Sequence, residues 1–302
     1  MNRAVRVTVP ATSANLGPGF DALGLALDLY DVVEAHTVPA EASGSIRVTV
    51  DGVGAGNLPT DESHLVVHAM HGFYERVGRE PPGLDVRCLN AIPHGRGLGS
   101  SAAAIVAGVL AARSLLEGGH DLVDDETVLA IAADLEGHPD NVAPCLLGGL
   151  TLAWTSSDRA RAMRLEIHPD VRPMLCLPDR AVSTETAREL LPDHVPHADA
   201  SRNAARAALL VAALRSRPDL LLDATEDLLH QPYRAAAMPE THVLVGSLRA
   251  AGLPAVVSGA GPSVLVLAGP PDSPETVREA AGTGWEVREL AVDDTGAVVE
   301  ML

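Results

Sequence analysis

At 302 residues the chain is long enough for one large domain or two medium ones with buried cores, and its composition is that of a folded protein. A formal net charge of -18 excludes non-specific nucleic-acid binding, which rests on cationic side chains neutralising phosphates. All 22 basic residues are Arg, and without Lys the chain has no Walker-A loop, no protein-kinase strand lysine and no Schiff-base amine.

Cys88, Cys145 and Cys176 are scattered without CxxC or Cys/His metal spacing, which points to buried small apolar residues instead of a disulfide framework or zinc site. The opening MNRAVRVTVPATSAN lacks the apolar stretch of a signal peptide, and no segment reaches the ~20 uninterrupted apolar residues that span a bilayer. A cytoplasmic protein with no membrane partner is expected.

Arg3 to Pro10 alternates apolar and polar positions as a half-buried strand does, and it delivers a run of small and turn-forming residues, ATSANLGPGFDALG. Extended runs at Tyr30 to His36 and Ile46 to Gly52 complete what reads as one meander. His64 to Arg76 carries apolar residues at helical spacing, with Asp61 or Ser63 placed to cap it. Leu84 to Pro93 reads as a strand feeding into HGRGLGSSAAAIVAGVLAARSLL, whose second half is an Ala-rich helix. A helix follows from about Asp124 to Leu135, ending near EGHPDN, and Gly148 to Trp154 reads as a strand leaving the first domain. SSDRARAMR reads as a polar connector, which divides the chain into domains 1–155 and 156–302. Beyond it come a strand near Val171 to Leu177, helices through 200 to 230, a helix ending at Ala251, two strand-like runs separated by GAGP, and a last helix and strand.

Three stretches carry chemistry. PHGRGLGSSAA, Pro93 to Ala103, sets three glycines and the Ser100-Ser101 pair between a strand and a helix N-terminus. Glycines let main-chain N–H groups turn towards an anion, and the helix dipole favours negative charge there, so this is a phosphate cradle. EGHPDNVAP, Glu136 to Pro144, packs two carboxylates, an imidazole and an amide into six residues. Asn15 and Asp21 offer an amide and a carboxylate beside the first glycine loop; the alternative is that Asn15 shapes the turn and Asp21 caps a helix beginning there. His64, His68 and His71 share helical spacing but lack the accompanying carboxylate or cysteine pattern of a metal site.

PHGRGLGSSAA resembles the ATP-binding motif of the GHMP kinases, and PATSANLGPGFDALG near the N-terminus and SGAGPSVL from Ser258 to Leu265 agree with that superfamily in order and spacing. Within it, PATSANLGPGFDALGLAL is similar to the homoserine kinases. The resemblance implies an α+β, two-domain GHMP kinase fold, with a ribosomal S5 domain 2-like N-terminal domain and a ferredoxin-like C-terminal domain. It implies an ATP- and Mg²⁺-dependent kinase that converts L-homoserine to O-phospho-L-homoserine for threonine synthesis and acts as a homodimer.

By the same resemblance ATP lies on Pro93, His94, Gly95, Arg96, Gly97, Leu98, Gly99, Ser100, Ser101, Ala102 and Ala103. Ser101 and Glu136 hold Mg²⁺, with Ser100 the alternate, a choice that suits an ion preferring a few hard oxygens. Asn141 orients the substrate, supported by His138 and Asp140, and Asp140 as a general base stays open as a rival. VSTETARELLP is similar to the family's Thr-x-x-x-Arg segment, so Thr184 and Arg188 share a helix face and Arg188 clasps the amino-acid carboxylate. Arg234 matches a second substrate arginine, Asn15 and Asp21 contact substrate, and SGAGPSVL supports the phosphate loop.

Overall fold

A computed structural model of the protein describes residues 3–38, 45–182, 184–269 and 272–302. β1 (Ala4–Ala14) buries Val5, Val7 and Val9 at alternate positions and is wholly buried beyond a register shift at Pro10/Ala11. It pairs antiparallel with β2 (Leu23–Thr37), one long strand that contains the run from Tyr30. β3 (Ile46–Gly52) does not complete a meander, because β4 (Leu84–Asn90) inserts between it and β2, antiparallel to β2 and parallel to β3. A parallel pair needs a crossover, and α1 (Leu65–Arg76) supplies it. His64 caps α1, its Nδ1 accepting from the Val66 N–H at 3.3 Å, whereas Asp61 is taken by the N–H and hydroxyl of Ser63.

The Ala-rich helix α2 (Ser100–Leu115) is buried along almost its whole length. After the single turn α3 (Gly119–Leu122), α4 (Asp125–Glu136) starts at Asp124, whose carboxylate accepts from the Thr127 N–H at 2.8 Å, and stops at Gly137 with φ 89°. α5 (Pro139–Leu147) begins on proline, whose fixed φ suits a first helical position. β5 (Leu150–Ser156) pairs with β2, and the stretch read as a connector is instead β6 (Arg159–Leu165), folded back on β5 by Ser157 and Asp158 at positive φ. Its alternation of Arg and Ala is that of a half-buried edge strand whose charges keep the edge solvated.

The second unit runs through β7 (Arg172–Pro178), α6 (Thr184–Glu189), α7 (His197–Ser216), α8 (Leu221–Ala224), α9 (Gln231–Arg234), α10 (Pro239–Ala250), β8 (Ala255–Val257), β9 (Val264–Ala268), α11 (Pro274–Ala281) and β10 (Trp285–Glu289). Its sheet is antiparallel in the order β10-β7-β9-β8, the ferredoxin-like arrangement. β11 (Val298–Met301) then returns to pair with β1. A seven-stranded sheet thus draws on both ends of the chain, and the boundary expected at 155 falls inside its β5–β6 hairpin. On β7 and β9, Leu175, Leu177, Leu265 and Leu267 join the apolar cluster of the first sheet, while Met174, Cys176, Val264 and Val266 face a second core with α10. The two units therefore share apolar packing along their seam. All three cysteines are buried and unpaired.

Candidate active site

The turn from β4 into α2 is built on Gly95, Gly97 and Gly99, all in the left-handed region with φ 63°, 71° and 66°. A Cβ on Gly97 would strike the Ser258 carbonyl oxygen, and one on Gly99 the Thr12 hydroxyl. The cap of α2 is Gly99 with no side-chain capping bond, and Ser100 and Ser101 are its first helical residues. The first N–H groups of the helix have no intrahelical partner, and Gly99, Ser100 and Ser101 line a cleft, an arrangement that suits an anion. Leu98, Ala102 and Ala103 are buried behind the turn, and Thr12 N–H donates to Leu98 O at 3.0 Å. Pro93 and His94 lead into it, while Arg96 turns away and holds the end of β7 through the carbonyls of Pro178 (Nε, 3.0 Å) and Asp179. From the β8–β9 turn, Ser258 donates to Gly97 O at 2.6 Å and shares a hydrogen bond with Ser13 Oγ at 2.8 Å.

The turn opens on a cleft of about 520 Å³ into which Ser101, Glu136, His138, Asp140, Asn141, Asn15, Asp21, Arg188 and Arg234 all project. Ser101 Oγ donates to Glu136 Oε1 at 2.6 Å. Burial pushes the Glu136 carboxyl above its ordinary value, more strongly than the Ser101 hydrogen bond and the charge of His138 pull it down. His138 Nδ1 lies 2.7 Å from Asp140 Oδ1. Burial lowers that imidazole's basicity, but the bond and charge of Asp140 and the charge of Glu136 outweigh it and the net shift is upward. Thr12 Oγ1 donates to Asn141 Oδ1 at 2.8 Å, so the amide nitrogen of Asn141 is the end left for a ligand.

At the opposite end no helix begins after the glycine loop, which removes the capping role considered for Asp21. Instead Arg188 donates to both carboxylate oxygens of Asp21, Nη1 to Oδ2 at 3.1 Å and Nη2 to Oδ1 at 2.8 Å. Asn15, at φ 68°, donates to Gly259 O at 2.9 Å and accepts from the Asp21 N–H at 2.9 Å, so it both shapes the turn and reaches the cleft. Arg188 and Arg234 flank the Phe20 ring, their guanidinium carbons 5.7 and 5.3 Å from its centroid. Thr184 opens α6, but its side chain lies outside the described residues.

Thr12, Phe20 and His230 were not singled out from sequence, nor was a second cleft of about 840 Å³ on the other side of Ser100 and Ser101, lined by Val9, Asp31, Val33 and His64 among others. A clue to that cleft was present in the break of the β2 apolar pattern at Asp31, a buried carboxylate accepting from Ala91 N–H (2.7 Å) and Ile92 N–H (2.9 Å). Among the described residues no group of three or more His, Cys, Asp or Glu is placed to hold a metal ion.

The family description "GHMP kinases N terminal domain" matches residues 64–149, and "GHMP kinases C terminal" matches 209–287. The chain is 54% identical to the homoserine kinase of Streptomyces coelicolor over 98% of this chain and 94% of that one. It is 48% identical to that of Mycolicibacterium vanbaalenii, over 94% and 91%. Of solved structures, the homoserine kinase from Cytophaga hutchinsonii superposes with a TM-score of 0.83 at 29% identity, covering 98% and 97% of the two chains. Mevalonate kinase from L. major, at 16% identity and a TM-score of 0.66 with 95% of each chain covered, shares the fold.

Proposed function

The chain belongs to the homoserine kinases of the GHMP kinase family, and from that premise we propose how its cleft transfers a phosphoryl group from ATP to the side-chain hydroxyl of L-homoserine. The observation that carries the proposal is that one cleft places the open N-terminus of α2 opposite the Asp21–Arg188 ion pair. An anion at one end and a zwitterion at the other leave the hydroxyl between them.

The phosphates of ATP lie on Gly95 to Ala103 and the nucleoside in the adjoining apolar cleft, since the two spaces meet at Ser100 and Ser101. Ser101 and Glu136 fit Mg²⁺, being two hard oxygens already 2.6 Å apart beside the phosphate cradle. Bound there, the ion supplies neutralisation of the phosphate charge. His138, held towards its protonated form, adds positive charge at the same place.

L-Homoserine enters by exchange with the ion pair. Its α-carboxylate takes the guanidinium groups of Arg188 and Arg234, and its ammonium takes Asp21 and the remaining lone pair of Asn15 Oδ1. With Oδ1 held by Thr12, Asn141 donates through Nδ2 to the substrate hydroxyl oxygen and aims it at the γ-phosphorus. Asp140 spends an oxygen on His138 and serves orientation instead of proton abstraction. A loose phosphoryl-transfer transition state asks little of a base, so alignment and charge neutralisation carry the rate.

The same reading sets the product in threonine biosynthesis and the enzyme in the cytoplasm as a homodimer. Among the described residues no helix is long and apolar enough to cross a membrane. The test is ATP- and Mg²⁺-dependent phosphorylation of L-homoserine, L-threonine, mevalonate and galactose in parallel. A strong preference for L-homoserine is expected; equal turnover of galactose, which has no carboxylate, would overturn the carboxylate-binding role of the arginines, and equal turnover of mevalonate, which has a carboxylate but no ammonium, would overturn the ammonium-binding role of Asp21.

A further inference from the structure

His230 is fully buried, just ahead of the short helix α9, and touches three parts of the amino-acid end of the cleft. Its Nε2 lies 2.9 Å from Gly17 O in the loop that carries Asp21, and its Nδ1 lies 3.2 Å from Arg234 Nη1. Its ring stacks on Phe20 with centroids 5.1 Å apart. A guanidinium only donates and a carbonyl oxygen only accepts, so the two contacts fix the tautomer: the proton sits on Nε2 and Nδ1 keeps its lone pair. A protonated ring would aim an N–H at the guanidinium. Burial holds the imidazole neutral and outweighs the opposing charge of Asp227, whose carboxylate lies 3.6 Å from Nε2, while the charge of Arg234 acts in the same direction as burial.

Arg234 needs such a partner. Arg188 faces the same space, its charge opposes that of Arg234, and two guanidinium groups without an anion between them repel. The other bonds of Arg234 run to carbonyls, from Nε to Ala187 O at 3.1 Å and from Nη1 to Gly259 O at 3.5 Å. Ala187 immediately precedes Arg188, so the orientation of Arg234 also bears on the helix that presents its neighbour.

We propose that His230 is a positioning residue for substrate binding, a neutral imidazole whose Nδ1 aims Arg234 at the α-carboxylate of L-homoserine while Nε2 ties it to the Asp21 loop. This rests on the assignment of Arg234 to that carboxylate. Two amide substitutions separate the two bonds. His230→Asn puts an acceptor close to the Nδ1 position and keeps the bond to Arg234, whereas His230→Gln reaches the Nε2 position and keeps only the bond to Gly17.

Steady-state kinetics of both variants, of Arg234→Gln and of the double variant His230→Gln/Arg234→Gln provide the test. In His230→Gln the KM for L-homoserine is expected to rise about 10-fold, with kcat and the KM for ATP within about 3-fold, and His230→Asn is expected to restore it. The double variant is expected to be no worse than Arg234→Gln alone to within about 3-fold, as for residues acting through one contact. KM does not depend on the active fraction, so partial unfolding does not imitate this pattern. If His230→Gln yields no folded protein, His230→Phe, which keeps the stacking and loses the acceptor, takes its place with the same expectation. Equal rises in the Asn and Gln variants, or strict additivity with Arg234→Gln, overturn the role of His230. An unchanged KM in Arg234→Gln overturns instead the carboxylate assignment beneath it.

Discussion

Thr12 Oγ1 donates to Asn141 Oδ1 at 2.8 Å, a buried bond between residues 129 apart in the chain that joins the end of β1 to the start of α5. It dictates which end of the Asn141 amide faces the cleft. Thr12→Val keeps the shape and removes the donor, freeing the amide to turn over and present its oxygen to the substrate hydroxyl. The expected result is a fall in kcat of about 10-fold, roughly the worth of one well-placed hydrogen bond, with little change in the KM for ATP. Steady-state kinetics alongside a melting curve checks it, and an unchanged kcat would remove Asn141 from the orientation of the nucleophile.

Arg188 and Asp21 form a two-bond fork in the cleft, with both side chains partly exposed. A pair so open to water contributes little to stability, so its alignment is better explained by what replaces it. Arg188→Lys keeps the charge and loses the fork. It is expected to raise the KM for L-homoserine by about 10²-fold and to move the melting temperature by no more than a degree or two. A large loss of stability with an unchanged KM would make the pair a structural strap.

The glycine-rich blocks and the EGHPDN cluster were legible because each writes its requirement into a few neighbouring residues, whereas Arg188 and Arg234 were reached only through the resemblance of their segments to the homoserine kinases. Positive φ at Gly95, Gly97 and Gly99 demands glycine, and a helix starting at Pro139 demands the residue ahead of it to be extended, as His138 is. Thr12 and His230 carry no such local signature. A lone Thr in a strand and a lone His before a short helix acquire roles from partners 129 and 213 positions away. The same holds for β6 and β11, whose pairing with β5 and β1 depends on which edges the rest of the sheet leaves open.

Asp31 is buried beside the second cleft, and burial raises its carboxyl above the ordinary value despite the N–H groups of Ala91 and Ile92. A raised folded pKa means that the folded state favours the protonated form. The stability linked to it is present below the unfolded value and lost as pH rises through the folded one. Asp31→Asn keeps an oxygen for both N–H groups and abolishes the titration. The melting temperature of the variant minus that of the parent is therefore expected to grow from pH 4 to pH 7. Melting curves across that range test it, and a difference that shrinks with pH would reverse the sign of the shift.

Glu136 is drawn in two directions that substitution can separate. Its partial burial disfavours the ionised carboxylate, yet it accepts a hydrogen bond from Ser101, the residue beside which phosphate charge would gather. Glu136→Gln retains an acceptor for Ser101 and discards the charge. If the carboxylate is there to hold Mg²⁺, the ligand-free variant is expected to melt no lower than the parent, because a disfavoured charge has been removed from a partly buried place. Its kcat/KM is expected to fall by about 10²-fold or more, with half-maximal activity needing about ten times more Mg²⁺. Titration of activity with Mg²⁺ beside melting curves without it decides between the two directions. A variant that melts lower while keeping its Mg²⁺ requirement would mean that the Ser101–Glu136 contact holds the helices α2 and α4 together, and that the metal is bound elsewhere.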